Sequence, residues 1–113
     1  MRLTFLGKET QGGGSPTLFA TDRQSYVVQG WKVSERTDCV EIPQRLLGHL
    51  EPGTCVGGSL RDTGRGSFVL SGQPVTDHQV LKQIAMPDHE TCVEVTKKPA
   101  PTEGSGTVAA TAG

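Results

Sequence analysis

The sequence predicts an α+β fold dominated by β-structure: a bent, mostly antiparallel sheet or small partly open barrel carrying one or two short helices. Three observations lead there. Short runs rich in β-branched and aromatic residues recur between clusters of Gly, Pro, Asp and Ser. Two similar hexapeptides, "DCVEIP" at 38–43 and "TCVEVT" at 91–96, share Cys-Val-Glu and alternate apolar and polar side chains. Only two short segments carry the spacing of a helix.

The elements follow in chain order. Arg2–Leu6 reads as a short strand, and "GKETQGGGSP" at 7–16 as a flexible connector too poor in apolar residues to pack. Thr17–Thr21 is a second strand, closed by a polar turn. "SYVVQGWKV" at 25–33 is a third, with Gly30 marking a bulge or a close approach of backbone. Residues 38–42 form the next, Val40 and Ile42 pointing one way and Cys39 and Glu41 the other. Pro43 opens a short helix over about 43–50, because Pro suits a first helical position and Leu46, Leu47 and Leu50 fall on one side. Thr54–Leu60 and Ser67–Ser71 are strands joined by the hairpin loop "RDTGRG", whose glycines supply positive φ. A helix over about 76–86 follows, with a Thr76–Gln79 capping box and a stripe of Val80, Leu81 and Ile84. Residues 91–96 end the sheet.

A repeat underlies this order. "SYVVQGWKV" resembles "SFVLSGQPV" at 67–75 in pattern and in the place of its glycine, and each is followed by a CVE strand. Two matches in one order indicate a degenerate two-unit repeat, too short for a solenoid.

With 113 residues the chain is expected to form one domain over 1–96, followed by a disordered tail at 97–113 rich in Pro, Gly, Thr and Ala. A folding part of this size buries only about 60% of its unfolded surface, so one small core is expected. The net charge is −1 with both signs dispersed, which makes nucleic acid an unfavoured partner. No apolar run is long enough to span a bilayer, the N-terminus lacks an apolar signal segment, and the three cysteines are widely spaced. A cytoplasmic protein with reduced thiols and no membrane partner is the expectation.

Site motifs are sparse. No C-x-x-C or H-E-x-x-H marks a metal, no G-x-S-x-G a serine nucleophile, and no glycine-rich phosphate loop is present. No cofactor, metal or catalytic residue is expected. The matched Cys39/Glu41 and Cys92/Glu94 pairs read as hidden thiols and solvated acids. Trp31, beside Gly30, is the strongest binding candidate, because Trp anchors interfaces, although a core-edge Trp fits the same position. Arg61 and Arg65 in the hairpin loop join it as candidate partner-binding residues able to meet an anion.

The strings "SPTLFATDRQSYVVQGWKV", "VEIPQRLL" and "MPDHETCVEV" make residues 1–96 similar to a group of short actinomycete proteins of Streptomyces type, often encoded near helix-turn-helix regulators. The resemblance implies a bacterial cytoplasmic protein in a regulatory setting, and it supplies no catalytic residues. The expected function is a small non-enzymatic interaction module, an accessory to a transcriptional regulator or a self-associating protein. The alternative is a small enzyme or metal or small-ligand binder using His78, His89, Glu90 and a cysteine. Direct nucleic-acid binding would require Arg23, Lys32, Arg36, Arg61 and Arg65 to converge on one face.

Overall fold

Nine strands make up about half of the computed structural model, which describes residues 1–9 and 15–100. They are β1 (Leu3–Lys8), β2 (Thr17–Thr21), β3 (Ser25–Lys32), β4 (Cys39–Pro43), β5 (Thr54–Val56), β6 (Leu60–Asp62), β7 (Ser67–Ser71), β8 (Gln73–Pro74) and β9 (Glu90–Pro99). A 3-10 turn spans Gln44–His49, and a single-turn helix α1 spans His78–Leu81. The sheet runs β1-β2-β3-β4-β7-β6, and β9 joins β3, β5 and β8. Every pairing is antiparallel and the sheet is open, not a closed barrel.

The repeat is visible as register. In β3, Ser25 to Trp31 lie opposite Thr96 to Glu90 of β9, while Trp31 and Lys32 lie opposite Glu41 and Val40 of β4. The β7–β8 segment does the same with partners exchanged. Ser67 to Ser71 lie opposite Pro43 to Cys39 of β4, then Gln73 and Pro74 opposite Glu94 and Val93 of β9. Each long segment thus leaves one CVE strand and passes to the other, and a glycine sits at each crossing. A Cβ on Gly30 would stand 2.6 Å from the Glu41 carbonyl oxygen, and one on Gly72 would stand 2.7 Å from that of Glu94. The preceding hairpins match as well: Leu18, Phe19 and Ala20 face Val28, Val27 and Tyr26, as Leu60, Arg61 and Asp62 face Leu70, Val69 and Phe68.

The shared inner face holds the main core. Leu18, Tyr26, Val28, Val40, Ile42, Leu46, Leu70 and Val93 are all fully buried there. Tyr26 keeps its hydroxyl satisfied by bonding Thr54 Oγ1 at 2.5 Å and accepting from Glu51 N–H at 3.1 Å. Those bonds pin the end of the 3-10 turn, whose Leu46 closes the core. A second, smaller cluster lies on the outer face of the first hairpin: Phe19, Val27 and Cys92 under Val80 and Ile84.

Several sequence expectations change here. The first strand extends to Lys8, so Gly7 and Lys8 leave the expected connector, of which residues 10–14 lie outside the described part. Pro43 ends β4 with φ −65° and ψ 144° and caps a 3-10 turn instead of opening an α-helix. Thr54–Leu60 is broken into β5 and β6 at Gly57-Gly58, where added Cβ atoms would fall 1.9 Å from Thr96 Oγ1 and 2.1 Å from the Ser71 carbonyl. The helix expected over 76–86 contracts to one turn. Asp77, not Thr76, caps it by accepting from Gln79 N–H at 2.8 Å, and Gln83 and Ile84 continue with 3-10 bonds to Val80 and Leu81. The stripe survives because that tighter winding still turns Val80, Leu81 and Ile84 to one side. The last strand runs on to Pro99, because Lys97, Lys98 and Pro99 pair with β5. Residues 97–99 therefore leave the expected tail, of which residues 101–113 lie outside the described part.

Candidate interaction face

The two glutamates of the repeated hexapeptides are not solvated acids. Each is three-quarters buried and closes a hairpin of identical chemistry. In the first hairpin, Thr21 Oγ1 and Ser25 Oγ lie 2.6 Å apart, Arg23 N–H donates to Thr21 Oγ1 at 3.0 Å, and Ser25 Oγ donates to Glu94 at 2.6 Å. In the second, Thr63 Oγ1 and Ser67 Oγ lie 2.7 Å apart, Arg65 N–H donates to Thr63 Oγ1 at 3.2 Å, and Ser67 Oγ donates to Glu41 at 2.5 Å. Arg23 and Arg65 each reach back to their glutamate at 3.1 Å. The turns need positive φ just before the serine, supplied by Gln24 at 58° and Gly66 at 84°. The motif is Thr-x-Arg-x-Ser, written in "TDRQSY" and "TGRGSF".

On the outer face of the second hairpin, Arg61, Val69, Glu41 and Trp31 stand opposite one another across four strands. Directly opposed residues share a face of the sheet, so the row is contiguous. Trp31, Glu41, Pro43, Arg65, Gly66 and Ser67 line a shallow cleft of about 160 Å³ at this row. That is below the roughly 300–1,000 Å³ typical of small-molecule sites. It suits a side chain presented by a partner better than a whole metabolite. The structure thus brings Trp31, Arg61 and Arg65 together in one region. Glu41 and Ser67, which the strand pattern assigned to scaffold alone, belong to it too. Arg65 is paired with Glu41, whereas Arg61 is exposed and has no ion-pair partner among the described residues.

The same row in the first unit is Phe19, Val27, Glu94 and Gln73. There α1 and the residues around it, with Met1 and Leu3, lie over the sheet. The connector in the second unit, 75–89, is long enough to carry α1, whereas 33–38 is a tight turn held by Arg36 on Asp38 at 2.9 Å. That guanidinium, mainly through its hydrogen bond, holds the Asp38 carboxyl below its ordinary pKa. Val69 and Trp31 are left partly exposed, and neither joins an apolar cluster.

No group of three or more His, Cys, Asp or Glu is placed to hold a metal among the described residues. Cys39 and Cys92 are buried, and desolvation pushes the Cys92 thiol up to about 11. His78 is exposed on α1. Glu90 is buried but engaged, accepting from Gln29 Nε2 at 2.6 Å and from Ser15 N–H at 2.6 Å, with the exposed His89 ring 3.7 Å away. Of the basic residues that a nucleic-acid surface would need to converge, three are already paired. Arg23, Arg36 and Arg65 are each matched to a carboxylate, leaving Arg61 and Lys32. No helix among the described residues is long and apolar enough to cross a membrane. Comparison with protein-family models, with curated proteins and with solved structures found no match to this chain.

Proposed function

We propose that this chain is a non-enzymatic interaction module that holds a protein partner on the outer face of its second hairpin, around Trp31, Arg61 and Arg65. The observation that carries the reading is the contrast between equivalent faces: two units share register, crossing glycines and hairpin chemistry, yet the described residues cover only one of them. The open face presents the residue types that dominate interface energetics, an aromatic anchor and arginines, around a cleft of side-chain size. The resemblance to short actinomycete proteins supports a bacterial regulatory partner, with a helix-turn-helix regulator as the first candidate.

The test uses the full chain as bait in native lysate, beside a Trp31→Ala/Arg61→Glu variant whose fold is checked by circular dichroism. Both positions lie outside the two clusters, so the variant should fold. A partner kept by the wild type and lost by the variant is expected. A partner retained equally by both, or no partner together with a monomer on sizing, removes the proposal.

A further inference from the structure

The equivalence of the units also says what is missing at the sheet's edge. In the first unit, β2 is not an edge: β1 lies along it, with Leu3, Thr4 and Phe5 opposite Thr21, Ala20 and Phe19. In the second unit, β6 occupies the place of β2 and ends the sheet. The chain that would correspond to β1 is spent on the 3-10 turn instead. The hydrogen-bonding parity of β6 is fixed by its bonds to β7, where Ser71 N–H donates to the Ser59 carbonyl at 3.0 Å and Thr63 N–H to that of Ser67 at 3.1 Å. Residues 59, 61 and 63 therefore point their backbone groups at β7. The N–H and C=O of Leu60 and Asp62 point outward and have no backbone partner among the described residues.

The side chains agree. Leu18, beside β1, is fully buried, but Leu60 in the same position is 39% exposed. Phe19 meets Phe5 edge to face across β1–β2, with ring centroids 6.4 Å apart. Arg61 stands where Phe19 does, and it has no ion-pair partner among the described residues.

We infer that β6 takes an added antiparallel strand from the partner, an extended segment with a carboxylate opposite Arg61 and an apolar residue beside it covering Leu60. This rests on the interaction-module reading and names the mode of that interaction. Strand addition supplies main-chain bonds for affinity and side-chain positions for selectivity. The acid opposite Arg61 extends the Trp31–Glu41–Val69–Arg61 row by one strand. A second copy is disfavoured as the occupant, because antiparallel self-pairing centred on this three-residue strand sets Arg61 against Arg61.

The probe is a library of random seven-residue peptides selected on the full chain. Leu60→Pro removes an outward N–H without breaking a bond to β7, so it blocks an added strand while leaving the hairpin intact. Enriched peptides should carry Asp or Glu next to an apolar residue and slow exchange of the Leu60 and Asp62 amides. They should weaken at least tenfold on Leu60→Pro, and Arg61→Glu should switch the preference to Lys or Arg. Peptides that ignore Leu60→Pro but are lost on Trp31→Ala overturn strand addition and leave the interaction face standing. Dimerisation abolished by Leu60→Pro, with no acidic preference among peptides, overturns the acidic partner strand in favour of a second copy. Absence of enriched peptides, together with absence of a lysate partner, removes both proposals.

Discussion

The two hairpin units differ less in how they are built than in what lies against them. Both use Thr-x-Arg-x-Ser at the turn, a glutamate from a CVE strand to receive the serine, and a glycine where the strand passes to the other unit. Around the first, β1 covers the edge and α1 covers the outer face. Around the second, the edge and the outer face remain open among the described residues. The comparison teaches that the hairpin network and the crossing are the conditions for folding, since both units keep them. The side-chain change from Phe19 to Arg61 follows the coverings, not the framework.

The sharpest way to break that contrast is to truncate equivalent leucines. Leu18→Ala removes a fully buried side chain and should cost about 3 kcal/mol, within the usual range for buried leucine. Leu60→Ala, at the open edge, should cost about 0.5 kcal/mol or less. Urea midpoints at constant m-value measure both, and equal costs would mean that the second edge is covered after all. Next come the crossings. Gly30→Ala and Gly72→Ala each drive a methyl into a backbone carbonyl and should lose about 2 kcal/mol apiece. Similar losses at the two positions would support the framework equivalence, and a neutral effect at either would end it.

Much of this framework is legible in the sequence because period-two patterning and turn residues act locally. The CVE echo, the glycine in each crossing strand and the positive-φ glycines at 64 and 66 are all readable without coordinates. The repeat is longer than strand pattern alone reveals. It begins upstream at Thr21 and Thr63, in polar residues that carry no periodicity, so the motif is hidden until the hydrogen bonds are seen. The fate of Glu41 and Glu94 was illegible for a related reason. A glutamate on a strand is solvated unless a serine and an arginine arrive from another strand, and register alone brings them there. The helix over 76–86 shows the reverse failure. A good stripe and a capping residue do not sustain a helix when the segment is short and anchored at both ends. The residue types of the proposed face, Trp31, Arg61 and Arg65, are readable from the sequence. Its openness was not, because that depends on which connector is long enough to fold back.

Smaller effects sharpen the equivalence further. Glu94→Ala and Glu41→Ala each remove the acceptor of a buried serine and should cost about 1–2 kcal/mol. Most of that belongs to the serine bond, because the arginines are largely exposed and their ion pairs are screened. Raising the salt concentration should therefore leave the two losses nearly unchanged. Matching thermal shifts in the two variants are expected, and a large difference between them would show that only one hairpin depends on its network.

A pH-dependent effect concerns Cys92, which lies beneath α1 on the covered face. Burial raises its thiol from 9.0 to about 11, so the folded protein keeps the proton where the unfolded chain has lost it. The sign follows by linkage. The stabilising contribution is complete below pH 9, and it is lost as pH rises from about 9 towards 11, because ionisation then favours the unfolded state. Stability of wild type and Cys92→Ala, measured by urea unfolding between pH 8 and 10.5, should converge with rising pH, because the variant lacks this group. Thiol labelling at pH 8 gives an independent check: the partly exposed Cys55 should react first, and Cys92 only on unfolding. Parallel pH profiles combined with rapid labelling of Cys92 would mean that α1 does not seal its face, and the contrast between a covered and an open unit would then lose its physical basis.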